Sequence, residues 1–170
     1  MRFVKKFQII FFFILFINNI AYANEKIVFF DVNILLNQTN IGIKTLKLIN
    51  DLNDENIKKL KNNENQLKEK ENDIKKKQNI ISSEELNKEI ELLNISFKNF
   101  KIEKDKMVNN YKKVKEKELK NFFDKINPVI QNYMNENSID ILIERKNVFL
   151  GKISSDITKK LVDEINEKIQ

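Results

Sequence analysis

The residues that could do chemistry in this sequence are carboxylates, hydroxyls and lysines, because the chain contains neither cysteine nor histidine. That composition excludes thiolate nucleophiles, imidazole acids and bases, disulfides and metal sites built from Cys or His. No pair of the remaining groups has a recognisable catalytic spacing. We therefore expect that the protein is not an enzyme and that it uses neither a metal nor a cofactor.

The most regular pattern in the chain is the stretch from Ser83 to Tyr133. Its apolar residues recur at steps of three, four or seven among Lys, Glu and Asn, which predicts a long helix with one apolar stripe. The stripe consists of Leu86, Ile90, Leu93, Phe97, Phe100, Met107, Tyr111 and Val114 and then, shifted by one residue as in a stutter, of Leu119, Phe122, Ile126, Val129 and Tyr133. Such a helix is not stable alone, so its stripe must pack against another element.

The partner of this helix is predicted to be a second helix, from about Gly42 to Ile80. Beyond Leu60 it carries one apolar residue per heptad, at Leu67, Ile74 and Ile81. Glu64, Glu71 and Gln78 occupy the places where a full seam would have a second apolar residue. This pattern predicts a slender, mobile hairpin rather than a strongly packed zipper.

The chain is predicted to reverse direction at the tip of this hairpin, near 81–84. Ser82-Ser83-Glu84-Glu85 fits a capping box with Ser82 as the N-cap, and its acidic residues favour a helix N-terminus. The alternative is one continuous helix of about 90 residues, because Ser-Ser is only a moderate helix breaker. The hairpin arm then spans 42–133.

The N-terminus has the features of a secretory signal peptide. Cationic residues in Met1–Lys6 precede an apolar run from Phe7 to Ile17, and Ala21-Tyr22-Ala23 predicts cleavage after Ala23. The alternative is an uncleaved anchor, but the run is shorter than the roughly 20 residues that a spanning helix needs. Residues 1–23 are therefore predicted to be removed from an exported protein.

The two remaining segments, 24–41 and 134–170, are predicted to form a small body. Lys26–Val32 is rich in β-branched and aromatic residues and predicts a buried strand. Ile139–Ile143 and Asn147–Gly151 flank three polar residues and predict a β-hairpin, giving three strands per chain. A core of this size is marginal below roughly 80 residues and exposes a strand edge, which predicts oligomerisation.

Local signals predict the ends of the helices. Pro128 predicts a kink or a short break in the second arm, and Asn137 is expected to be its left-handed C-terminal residue. The expected N-caps are Asn33 for a single helical turn, Thr39 or Asn40 for the first arm, and Ser155 or Asp156 for a last amphipathic helix.

Several short segments carry a resemblance to a known family. They are Lys26–Asn33, Thr39–Gly42, Lys125–Ile130, Ser138–Ile143, Asn147–Leu150 and Asp156–Thr158. On these segments and the signal peptide, the chain resembles the Skp/OmpH family of periplasmic chaperones. The resemblance implies a β-rich trimeric body from which three helical hairpins surround a cavity. It also implies that unfolded outer-membrane β-barrel proteins are held there without ATP.

The expected fold is therefore α+β, with a small β-rich trimerisation body and a long antiparallel α-helical coiled-coil hairpin, in a periplasmic protein. The residues expected to bury between subunits are Phe29, Ile141, Ile143, Val148 and Leu150. The residues expected to contact clients are Ile95, Ile102 and Val108, which the seam does not need, and Lys98, Lys101 and Lys112. The alternative for the three apolar residues is that they pack within the hairpin.

The charges of the arm alternate along its length. Residues 98–120 carry nine lysines and four acids, and 58–77 carry eight lysines and four acids, whereas 78–97 carry four glutamates and one lysine. The basic stretches could attract acidic clients or anionic lipid at long range, or they could simply be a solvated face.

Nucleic acid is not expected as a partner of an exported protein. The alternative function is a structural coiled-coil spacer or tether in the cell envelope.

Overall fold

A computed structural model describes residues 25–169 of the chain. The predicted signal peptide, 1–23, lies outside the described residues. The order of the elements is β1 (Ile27–Phe30), α1 (Val32–Gln38), α2 (Asn40–Lys77), α3 (Ser83–Glu136), β2 (Ile141–Glu144) and α4 (Thr158–Lys168). Two short 3₁₀ turns, Arg145–Asn147 and Ile153–Ser155, lie between β2 and α4.

Helices α2 and α3 form the predicted antiparallel hairpin. Thr39 caps α2, because its hydroxyl oxygen accepts a hydrogen bond from the Gly42 amide at 3.0 Å. Ser82 caps α3 in the same way, accepting from the Glu85 amide at 3.2 Å. The chain reverses between Lys77 and Ser83, which rules out one continuous helix. At 1.5 Å per residue, α2 is about 57 Å long.

Helix α3 continues through Pro128, so the predicted short break is wrong. Proline removes one backbone hydrogen bond, but the neighbouring Ile126 and Ile130 are both buried in the core of the body. Their packing holds the helix on both sides of the proline. The helix ends at Glu136, and the left-handed residue beyond it is Ser138 (φ 51°) rather than the predicted Asn137.

The sheet of the body has two parallel strands. Ile27 pairs with Ile141 and Phe30 with Glu144, so the whole hairpin arm connects two neighbouring strands. On the side of β1 away from β2, the carbonyl oxygen of Phe29 accepts a hydrogen bond from the Ile157 amide at 3.0 Å. Asp156 makes an isolated bridge with Phe29 at the same place.

The predicted third strand, Asn147–Gly151, is therefore wrong within the single chain, whose described residues form a sheet of two strands. Arg145–Asn147 closes a 3₁₀ turn, in which the Val148 amide donates to the Arg145 carbonyl at 3.0 Å, instead of a hairpin turn. Asp156 and Ile157 pair with β1 where an added strand would have to bind. Val148 to Gly151 consequently has no strand partner among residues 25–169 of its own chain and follows the surface.

The core of the body includes the root of the arm. Leu35 of α1, Phe122 and Ile126 of α3, and Leu161 and Ile165 of α4 are fully buried and belong to one cluster. The hydrophobic stripes of three helices thus meet over the two-stranded sheet. This packing fixes the base from which the arm extends.

Two aspartates of the body, Asp31 and Asp156, bind backbone amides at the starts of α1 and α4. Asp31 caps α1, accepting from the amides of Asn33 and Ile34, so the cap predicted at Asn33 is two residues too late. The N-cap residue of α4 is Ile157, so the cap predicted at Ser155 or Asp156 is one or two residues too early. Asp156 nevertheless accepts a hydrogen bond from the Thr158 amide at 3.0 Å. Asp156 also forms an ion pair with Arg145 at 2.6 Å, which ties the 3₁₀ turn to the last helix.

Candidate functional site

The seam between the two arm helices is sparsely packed over most of its length. From Asp51 to Asn121, Leu67 is the only buried residue, with 7% of its surface exposed. Seam residues of α3 such as Ile90 and Phe97 remain 41% and 42% exposed. The heptads that carry a single apolar residue therefore give the loosely packed hairpin that the sequence predicts.

Polar contacts add little across this seam. The Asn63 amide donates to Glu103 at 2.9 Å, and Lys77 pairs with Glu89 at 3.1 Å. Most other ion pairs of the described arm join residues of the same helix. Hydrogen bonds from Lys59 and Lys75 lower the pKa of Glu55 and Glu71, respectively, each within one helix. Such exposed pairs contribute little stability.

The residues predicted to contact clients lie on the exposed surface of α3. Ile95, Ile102 and Val108 are 48%, 46% and 42% exposed. Lys98, Lys101 and Lys112 are also exposed. Ile95 and Ile102 are seven residues apart and so share one face, with Lys98 between them. These two side chains are available to a partner outside their own hairpin.

Three of the clefts in the described part of the chain lie between α2 and α3. The first, of about 300 Å³, is lined by Ile74, Leu92 and Leu93, and the second, of about 260 Å³, by Leu67 and Phe100. The third, of about 390 Å³, lies at the root. Leu92, which is 55% exposed in the first cleft, was missed by the sequence analysis because it falls outside the apolar stripe. The missing second apolar residue per heptad was the available signal for these clefts.

A second apolar surface lies on the body, which we call the body patch. It consists of Ile27, Ile141, Phe149, Leu150 and Ile153, of which the last three are 103%, 88% and 92% exposed. A groove of about 440 Å³ opens beside it, lined in part by Ile27, Phe149 and Leu150. Patches of this kind mark interaction surfaces.

The five residues predicted to lie between subunits differ in how exposed they are in the single chain. Ile141 and Leu150 belong to the body patch, Ile143 and Val148 are half-buried, and Phe29 is already buried within the chain. The ring of Phe29 lies 5.8 Å from the Arg145 guanidinium, a cation–π distance. Phe149 and Ile153 were missed, because the expected strand directed attention to Val148 and Leu150.

Comparison with known proteins identifies the family. The family model described as Outer membrane protein (OmpH-like) matches residues 26–165. The chain belongs to the OmpH-like family. This membership confirms the resemblance drawn from the sequence, and it covers both the body and the arm.

A solved structure shows the same fold. The crystal structure of a candidate outer membrane chaperone (OmpH-like) from Caulobacter crescentus CB15 matches this OmpH-like protein with a TM-score of 0.74. The match covers 86% of this chain and 87% of that chain at 16% sequence identity, so it shows the fold alone. No curated protein matches the chain. Within residues 25–169, no helix is long and apolar enough to cross a membrane.

Proposed function

We propose that this OmpH-like protein is an ATP-independent periplasmic holdase chaperone. It acts as a homotrimer, binds unfolded outer-membrane β-barrel proteins between its helical arms and prevents their aggregation. The observation that carries the proposal is the arm, in which Leu67 is the only buried residue between Asp51 and Asn121. A coiled coil built only to set a distance would instead fill its seam.

The arm suits an aggregation-prone client. A barrel strand alternates apolar and polar side chains, so its apolar face is exposed in water until it reaches the membrane. Ile95, Ile102 and Val108 offer separate apolar contacts, and Lys98, Lys101 and Lys112 lie among them. Scattered contacts on a loosely packed support can fit many sequences, because none of them defines a rigid pocket. The basic stretches would attract acidic client segments and, transiently, anionic lipid.

The body patch supports assembly. Three side chains that are almost wholly exposed, Phe149, Leu150 and Ile153, lie near one strand edge in a protein with a small core. Association of copies through this patch would cover them and hold several arms around one space. Replacing Ile141 with Asp should therefore give monomers by sedimentation or mass photometry, and a retained trimer would place the interface elsewhere.

An aggregation assay tests the holdase activity. A urea-unfolded barrel protein is diluted into buffer with the mature protein, and light scattering is followed. Suppression at one trimer per client is expected. The triple variant Ile95→Asp, Ile102→Asp, Val108→Asp should suppress less than the wild-type protein. The control triple variant Ile43→Asp, Leu48→Asp, Ile57→Asp changes similarly exposed residues of α2 and should suppress as the wild-type protein does. Unchanged scattering with the wild-type protein would contradict the proposal.

Cross-linking in cells separates the holdase from the spacer. A holdase should be recovered with many barrel proteins, in amounts that rise when barrel assembly is slowed. A spacer or tether should be recovered with one fixed, folded partner.

A further inference from the structure

The two clefts nearest the tip repeat with the period of a heptad. Both are lined by Lys70 and Ser96, so they adjoin each other along one face of the hairpin. Their lining positions are 70, 73, 74 and 77 on α2 with 89, 92, 93 and 96 on α3, and 63, 66, 67 and 70 with 96, 99, 100 and 103. On both helices the second set is the first shifted by seven residues. The clefts are therefore about 10.5 Å apart along the arm.

This spacing identifies the shape of what can fill both clefts at once. Side chains on one face of an extended strand recur about every 6.6 Å, which does not match. Side chains seven residues apart on a helix recur about every 10.5 Å and insert as knobs between the residues of facing helices. The matching occupant is a helix that carries two exposed apolar residues one heptad apart.

The chain itself carries such a helix. Ile95 and Ile102 of α3 are one heptad apart, and each is nearly half exposed. Lys98 lies on the same face between them. The rims of the clefts carry three carboxylates and two lysines, namely Asp73, Glu89, Glu103, Lys70 and Lys77. Lys77 already pairs with Glu89, so the heptad spacing and not the charge favours this occupant.

We propose that, in the absence of client, Ile95 and Ile102 of one hairpin insert into the two clefts of the neighbouring hairpin in the assembled protein. The proposal rests on the ring-shaped trimer proposed above, because a contact between two different surfaces closes only when a rotation relates the copies. Each copy then provides two knobs to one neighbour and two clefts to the other. The arms close into a bundle and cover their own apolar residues.

The register of this contact needs no sliding of one arm past another. When a rotation axis runs along the arms, equivalent residues of the copies lie at the same height. The α3 residues that line the first cleft have a mean residue number of 92.5, and those that line the second have a mean of 99.5. Ile95 and Ile102 each lie 2.5 residues beyond the corresponding mean. That offset is about 4 Å, and it shrinks to about 2 Å because helical side chains lean about one residue toward the N-terminus.

The closed arms would compete with client binding. The same two isoleucines are client contacts in the proposed function, so a client must displace them from the clefts. Closure would also keep empty chaperone molecules from associating through their exposed arms. The size of the opening would follow from how many knobs a client displaces.

Cysteine cross-linking tests the contact, because the natural chain has no cysteine. Ile102→Cys and Lys70→Cys are prepared separately, mixed, unfolded and refolded together, and treated with a short bismaleimide. We expect cross-linked dimers in the mixture at a yield several-fold above that of either variant alone. Lys68→Cys replaces Lys70→Cys as the matched control, since residues two apart point to opposite sides of a helix. A stoichiometric amount of urea-unfolded barrel protein should lower the yield.

Three results would contradict parts of this inference, and they can be told apart. A trimer by mass photometry whose cross-linking yield is the same with Lys70→Cys and Lys68→Cys would contradict the arm contact and leave the holdase proposal intact. A monomer would contradict both this contact and the proposed trimer. Trimers that cross-link through Lys70→Cys but keep the full yield with client present would contradict the competition.

Discussion

The two ends of helix α3 are parts of one helix with opposite packing. Near its C-terminus, Phe122 and Ile126 are fully buried among α1 and α4. Near its N-terminus, Ile90 and Phe97 occupy the same stripe and remain about two-fifths exposed. The difference does not come from the apolar residues of α3, which are as frequent in both halves. It comes from what lies opposite, a three-helix core at one end and a single thinly apolar helix at the other.

Stable packing is concentrated at the root of helix α3, and the surface proposed to bind clients lies on its loosely packed arm. The root buries one continuous hydrophobic cluster, whereas the arm beyond it buries only Leu67 between Asp51 and Asn121. Packing of an amphipathic face provides most of the stability of a helix in a protein. The arm is therefore expected to open locally at a lower free energy than the body.

Removing one phenyl ring from each end of α3 should change the free energy of unfolding by very different amounts. Phe122→Ala should lower the free energy of unfolding by about 3–5 kcal/mol, because it leaves a cavity in the core. Phe97→Ala should lower it by less than about 1 kcal/mol, because that ring is partly in water already. Urea unfolding followed by circular dichroism measures both. Equal losses would show that the arm is packed as tightly as the root.

Adding apolar residues to α2 should pack the seam of the arm more tightly. Asn63→Leu with Glu71→Leu places a second apolar residue at a half-buried position of α2 in two heptads and should stabilise the hairpin by about 1–2 kcal/mol, since each leucine is only partly buried. The lost pair between Glu71 and Lys75 is exposed and costs little. The hydrogen bond lost between Asn63 and Glu103 is exposed and also costs little. Hydrogen exchange should slow in the arm. Suppression of client aggregation should weaken, because the stiffened arm adapts less readily.

The control for that variant places the same two leucines elsewhere. Lys68→Leu with Lys75→Leu adds equal apolar surface on exposed positions of α2. It should not slow exchange in the arm. If this control weakens aggregation suppression as much as the seam variant does, stiffness is not the cause.

Removing the N-cap side chain of each arm helix should have smaller effects on stability. Thr39 is fully buried at the root, and Ser82 is exposed at the tip. Thr39→Ala should lower the free energy of unfolding by about 1–2 kcal/mol, whereas Ser82→Ala should cost about 0.5 kcal/mol. The loss at Ser82 should be visible mainly as faster exchange in the first turn of α3. A similar global loss from both substitutions would argue that the tip and the root unfold together.

The sequence predicted the arm well because its signals are local. Stripes of Leu and Ile and the caps at Thr39 and Ser82 depend on residues three to seven apart. The body was predicted less well because strand pairing depends on distant residues. Nothing near Val148 reveals that Asp156 and Ile157 pair with β1. Similarly, a proline locally favours a helix break, and the helix continues through Pro128 because Ile126 and Ile130 are packed in the core.

The exposed surfaces show the same division. Ile95 and Ile102 could be predicted as exposed, because they lie off the apolar stripe. The heptad-spaced clefts and the exposure of Phe149 and Ile153 depend on how two helices meet and on where an irregular segment lies. Such features arise only from the tertiary arrangement.

Native-state hydrogen exchange along helix α3 measures directly how firmly the two ends of the helix are packed. We expect amides from Leu86 to Val114 to exchange at least about tenfold faster than those from Leu119 to Tyr133, equivalent to about 1.4 kcal/mol in opening free energy. Client binding should slow exchange in the first segment and leave the second unchanged. Equal protection of the two segments in the free protein would contradict the central claim that the arm is loosely packed on a firmly packed root.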